Sequence, residues 1–94
     1  MHWAAWCGRD RVVEALADKA DNINQRCIDF KSTPLFWAMH GYRFGGKENR
    51  HNQLRCADIL LAHGADASIP NFEGYVPVQL VEAHDVEAIA LFAK

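Results

Sequence analysis

This chain makes nearly the same statement twice, and the interval between the two statements restricts what it can fold into. Met1-His2-Trp3-Ala4-Ala5 near the start corresponds to Leu35-Phe36-Trp37-Ala38-Met39 in the middle. A helix-length interval later, Asp18-Lys19-Ala20-Asp21-Asn22-Ile23-Asn24 corresponds to Ala62-His63-Gly64-Ala65-Asp66-Ala67-Ser68. A weaker third opening stands at Val76-Pro77-Val78-Gln79-Leu80-Val81. Met1, Leu35 and Val78 hold equivalent places and lie 34 and 43 residues apart. Removing one residue near Cys27 and ten at residues 42–51 leaves a period of about 33 residues. A unit of that length cannot bury its apolar face alone, so neighbouring units must stack to cover it.

Within each unit the periodicity is helical. The first helix is expected from His2 to Cys7, stopped by Gly8. The second, from about Arg11 to Lys19, sets Val12, Val13, Ala15 and Leu16 against Arg11, Glu14 and Asp18, an amphipathic pattern. Residues 21–32 turn polar and read as a projecting finger. Thr33 can then cap a third helix that opens with Pro34, where a fixed φ is already helical, and runs to about Gly41. Gly45-Gly46 punctuates residues 42–51, which read as a loop. A fourth helix follows, capped by Asn52 or by Asn49 if it starts early, burying Leu54, Ala57, Ile59, Leu60 and Leu61, and Gly64 ends it. Ala20 holds that terminating place in the first unit, where a looser turn is expected because alanine disfavours positive φ. Residues 69–75 form a second finger. A fifth helix from Val78 to about Ala83 and a sixth from Val86 to Ala93, capped by Asp85, complete the reading.

The period, the helix pair per unit and the phrases Thr33-Pro34-Leu35, His2-Trp3-Ala4-Ala5, Val12-Val13, Ile59-Leu60-Leu61 and Gly64-Ala65-Asp66 together resemble the ankyrin repeat. The resemblance spans nearly the whole chain. It implies an all-α ankyrin-repeat solenoid of three helix-turn-helix pairs linked by hairpin-like fingers. The units fall at about residues 1–31, 32–74 and 75–94, the first one truncated, with an inserted loop at 42–51 in the second. It also implies a non-catalytic module that binds a protein partner through a concave groove and its finger tips, with no cofactor. His2 stands where the family has its structural histidine, whereas Phe36 and Gln79 replace it in the later units. Apolar packing must compensate there.

Composition narrows the function classes. A formal net charge of −2 with interspersed signs opposes nucleic-acid binding by counterion release, which needs a basic stripe. The cysteines, Cys7, Cys27 and Cys56, are odd in number and form no Cys-x-x-Cys pair, so reduced thiols are expected rather than a disulfide framework or a zinc site. A catalytic pair would need Cys7 and His40, and no residue is evident to orient the base. No apolar run approaches the roughly 18 residues of a membrane span, and the opening residues lack the basic start of a signal peptide. A cytoplasmic or nuclear location is expected on those grounds, with no membrane partner.

The candidate binding residues are those that face the shared groove in the repeat register. Trp3 and Trp37 form one row, Trp6 and His40 the next, and the finger tips add Arg26, Phe30, Phe72 and Glu73. Tryptophan is enriched among residues that dominate binding, although Trp3 and Trp37 are equally readable as packing between first helices. Trp6 is harder to explain by stacking. The inserted loop offers a secondary site, Arg43, Phe44, Lys47 and Arg50, at the edge opposite the fingers, suited to an acidic segment or a phosphate. A second reading comes from the first unit, whose Met1, Trp3, Ala4 and Trp6 would lie at an open end. Such an end suits self-association as a homodimer or a place within a longer array.

Overall fold

The computed structural model describes residues 1–45, 48 and 50–93, and every regular element among them is helical. Helix α1 (His2–Trp6) turns directly into α2 (Asp10–Lys19) through Gly8, whose φ of 74° only glycine adopts without strain. Helix α3 (Pro34–Phe44) opens as its sequence requires: the Phe36 N–H donates to Thr33 Oγ1 at 3.3 Å, and Pro34 fills the first turn. Helix α4 (Arg50–Ala62) ends in a turn at Gly64, with φ of 91°. A single 3₁₀ turn (Pro77–Leu80) and α5 (Val86–Phe92), capped by Asp85, close the described chain. No helix among the described residues is long and apolar enough to cross a membrane.

Like elements stack on like: α1 packs on α3 and α2 on α4. The core between them comprises Ala4, Ala5, Val13, Leu35, Ala38, Met39, Leu54, Cys56, Ala57 and Leu60, with Ala88 and Leu91 added by α5. Small residues on α1 let the helices approach closely. At the nearest point a Cβ on Gly41 would stand 2.3 Å from the Trp6 carbonyl oxygen and 2.7 Å from Gln53 Nε2. The buried Gln53 amide donates to that same carbonyl at 2.6 Å, satisfying it at the helix end. Burial, with the Asp10 charge adding to it, pushes the Cys56 thiol up to about 12; the side chain stays protonated and packs as an apolar group.

The fingers are short hairpin-like turns. In the first, the Cys27 N–H donates to the Ser32 carbonyl and the Lys31 N–H to the Cys27 carbonyl, both at 2.9 Å. In the second, Asn71 Oδ1 accepts from the Glu73 and Tyr75 backbone N–H groups, each at 3.0 Å, and Gly74 takes φ of 85°. The Phe72 N–H donates to the Phe30 carbonyl at 3.0 Å, which ties the two fingers side by side.

Two sequence expectations need correction. Residues 42–51 are not a loop throughout, since Tyr42, Arg43 and Phe44 continue α3 and Arg50 opens α4. Of the remainder, Gly46, Lys47 and Asn49 lie outside the described residues. The cause is Tyr42, which is buried and donates its hydroxyl to Asp85, while Arg50 lies 4.3 Å over its ring and 3.6 Å from the same carboxylate. The fifth helix, expected from Val78 to Ala83, shrinks to the 3₁₀ turn Pro77–Leu80. Branched Val76 and Val81 are extended at its flanks, Gln79 Oε1 accepts from the Val76 N–H at 2.7 Å, and only Pro77 of the turn is buried. Ala20 leaves α2 in an extended conformation, φ −72° and ψ 128°, in keeping with alanine's aversion to the positive φ that Gly64 adopts.

The Tyr42–Asp85 tie has a testable pH signature. Asp85 is held below the usual carboxylate range, chiefly by the Tyr42 hydroxyl, against a desolvation cost and with help from the Ala88 N–H and Arg50. Burial, then Asp85, pushes Tyr42 up to about 12. The tie therefore stabilises fully between the two ordinary pKa values. It is lost as pH falls through the depressed Asp85 value, or rises from the ordinary tyrosine value of about 10 towards the raised one. Tyr42→Phe should cost about 1.5 kcal/mol at neutral pH, and the gap in thermal midpoint between variant and wild type should close at both extremes. A gap independent of pH would refute the assignment.

Candidate functional site

Helix α3 carries Trp37, His40 and Phe44 at spacings of three and four residues, which puts all of them on one face. Their rings meet in sequence: Trp37 and His40 have centroids 6.0 Å apart, His40 and Phe44 4.9 Å. The fingers extend the line, with Phe30 5.8 Å from Trp37 and Phe72 5.9 Å from Phe30. Phe72, Phe30, Trp37, His40 and Phe44 thus form a continuous aromatic row along a groove of about 370 Å³. Ser32, Phe36, Asn71, Glu73, Tyr75 and Leu80 complete its walls. The tilted and edge-on contacts add about 0.5–1.5 kcal/mol per pair beyond burial, so the row is rigid although its outer rings face solvent.

Polar groups fix the row rather than interrupt it. The Trp6 indole N–H donates to His40 Nδ1 at 3.2 Å, bringing α1 to the groove. Burial holds His40 below the ordinary histidine range, which keeps that nitrogen free to accept. The Trp37 indole N–H donates to Cys27 Sγ at 3.4 Å, pinning the first finger to α3. Burial raises the Cys27 thiol, but the Trp37 bond and the backbone at Ser32 and Phe30 outweigh it and hold the thiol below its ordinary value. The groove surface is therefore apolar and uncharged along its floor, with Glu73 at one rim and Arg43 near the other.

The structure brings some expected residues together and leaves others apart. Phe30, Trp37, His40, Phe72 and Glu73 line one groove, and Trp6 reaches it through His40. Trp3 is 68% exposed and lies outside the lining. Arg26 is turned back into its own finger, donating from Nε to the Lys31 carbonyl at 2.7 Å. The residues grouped as a secondary loop site separate. Phe44 joins the groove itself instead of an opposite edge, Arg43 donates to the Leu80 carbonyl at 3.2 Å, and Arg50 is engaged with Asp85 and Tyr42. Lys47 lies outside the described residues. Sequence reasoning missed Asn71 and Tyr75 as walls; the signal available was Asn71 in a turn, a residue that bonds backbone two positions on.

Comparison with known proteins agrees with this architecture. Residues 31–72 match the family model for the ankyrin repeat. Palmitoyltransferase ZDHHC13 of Mus musculus is 34% identical over 80 residues, which is 85% of this chain and 11% of that protein. The Homo sapiens protein of the same name is 32% identical over 80 residues, and palmitoyltransferase AKR1 of Lachancea kluyveri is 32% identical over 75 residues, 9% of its length. The chain spans about a tenth of the length of these relatives. No solved structure matches it. With its helices stacked pair on pair, its fingers joined side by side and its central unit matched by the family model, the chain belongs to the ankyrin-repeat family.

Proposed function

We propose that this chain is a non-catalytic recognition module whose groove takes an apolar segment of a protein partner. The observation that carries the reading is the aromatic row Phe72, Phe30, Trp37, His40 and Phe44, which lines a cleft of about 370 Å³ and leaves Phe30 47%, Phe72 56% and Phe44 61% exposed. Stacking of the repeats does not require those exposed rings, and a rigid apolar cleft loses little entropy on binding. In the relatives the matched stretch is a small part of a palmitoyltransferase. We assign recognition to this stretch and leave the chemistry of any such enzyme to other parts of it.

Selection of short random peptides displayed on phage against the folded chain tests the reading. Enriched peptides should carry apolar or aromatic residues, bind one per chain and displace one another. Enrichment of basic or acidic peptides without apolar residues, or peptides that bind the denatured chain equally well, would contradict it.

A further inference from the structure

The second finger is wound so that its side chains serve one end of the groove. Asn71 Oδ1 accepts from the backbone N–H groups of Glu73 and Tyr75, and Gly74 reverses the chain with φ of 85°. That turn sets Phe72, Glu73 and Tyr75 together on the groove wall, with Phe72 56% and Tyr75 50% exposed. Glu73 is the one carboxylate among the described residues that line the groove, and it forms no ion pair among the described residues. A free carboxylate beside two half-exposed rings is complementary to a cation. The charge pairs with the carboxylate oxygens while the apolar stem or the guanidinium plane lies on a ring face.

The far end of the groove has the opposite sign. There Arg43 stands 5.4 Å from the Phe44 ring centroid and donates to the Leu80 carbonyl at 3.2 Å. A cation is already in place at that end, and a ligand's own cation would be repelled from it. The cations of the first finger do not cancel Glu73 within the groove: Arg26 is turned back to the Lys31 carbonyl, and neither Arg26 nor Lys31 lines the cleft. The groove is therefore polarised, negative at the second finger, apolar over Phe30 and Trp37, and positive beside Phe44.

Building on the role proposed above for the groove, we infer that its occupant is a segment of a protein partner in which an apolar stretch is bounded at one end by a lysine or arginine, and that this cation docks at Glu73 beside Phe72 and Tyr75. Glu73 thereby sets both the composition of the segment and the direction in which it lies. Trp37 and its neighbours accept apolar side chains of many shapes, whereas Glu73 separates segments of equal apolar content by their charge.

Parallel phage selections on the wild type and on Glu73→Gln, which keeps the shape and removes the charge, test this. Wild-type peptides should carry a lysine or arginine at one end of their apolar stretch, and Glu73→Gln peptides should carry apolar residues without that bias. For one wild-type peptide, exchange of the cationic residue for norleucine should weaken binding to the wild type about fivefold, the combined effect of an exposed ion pair and a cation–ring contact. The same exchange should leave affinity for Glu73→Gln unchanged, and Glu73→Lys should prefer the peptide with glutamate at that position. Apolar peptides without cationic bias, a norleucine penalty as large on Glu73→Gln as on the wild type, or a Glu73→Lys chain that still prefers the cationic peptide would each overturn the inference while leaving the groove as the recognition surface. Selection of peptides without apolar residues would overturn both.

Discussion

Gly41→Ala is expected to unfold much of the chain at temperatures where the wild type is fully folded. The added Cβ would lie 2.3 Å from the Trp6 carbonyl oxygen, a backbone atom, and 2.7 Å from Gln53 Nε2. The backbone cannot swing aside as a flexible side-chain tip can. Helix α1 has only five residues, so it has no length over which to bend and must move as a whole. That movement would uncover Ala4 and Ala5, break the Gln53 bond to Trp6 and pull the Trp6 indole from His40. Overpacking alone costs about 1–3 kcal/mol, and a stranded buried amide adds about 1–3 kcal/mol. Together these take a large share of the roughly 5–14 kcal/mol that a chain of this size holds. Gly64→Ala is the control: nothing lies within 4 Å of its Cβ, and the positive φ alone should cost about 1 kcal/mol. Thermal unfolding followed by circular dichroism separates them. A Gly41→Ala chain that melts like the Gly64→Ala chain would mean that α1 does not approach α3 as described.

Phe30→Ala should abolish most of the groove's affinity while sparing the fold. Phe30 is 47% exposed and lies inside the row, touching Trp37 on α3 and Phe72 on the neighbouring finger. Its loss removes two ring contacts, worth about 1–3 kcal/mol of local order in all, and opens a gap where a ligand would be held from both sides. Central aromatic residues of an interface cost about 2 kcal/mol or more on truncation, so a peptide selected on the wild type should bind about thirtyfold more weakly. Val78→Ala, equally an exposed apolar residue but outside the groove, should leave affinity unchanged. Calorimetric titration of both variants with one selected peptide reads the difference. Equal affinity for Phe30→Ala and the wild type would place the ligand elsewhere.

The parts of this fold that were legible in the sequence are those set by local or repeated signals. Thr33 and Pro34 announced the start of α3, Gly64 the turn after α4, and the repeated phrases gave the register that puts Trp3 opposite Trp37. What failed depends on distant contacts. Gly45 marked the end of α3, but nothing near Tyr42 showed that its hydroxyl would meet Asp85, 43 residues away, and keep α3 helical past Gly41. Val76-Pro77-Val78-Gln79-Leu80-Val81 follows the pattern of the other first helices, yet Val78 and Gln79 remain exposed and too little is buried to support more than one turn. The groove was half legible for the same reason. Trp37, His40, Phe30 and Phe72 followed from the register, whereas Phe44 joins them only because α3 runs one turn further than its local signals indicate.

The central claim is that the aromatic row is the recognition surface, and amide and aromatic chemical-shift mapping during titration with a selected peptide tests it most directly. The account predicts that the largest changes fall on Phe30, Trp37, His40, Phe44 and Phe72 and on the Trp6 indole bonded to His40, with α4 and α5 nearly silent. Changes concentrated on α2, on the α4–α5 side, or spread evenly over the chain while the groove signals stay fixed would contradict it.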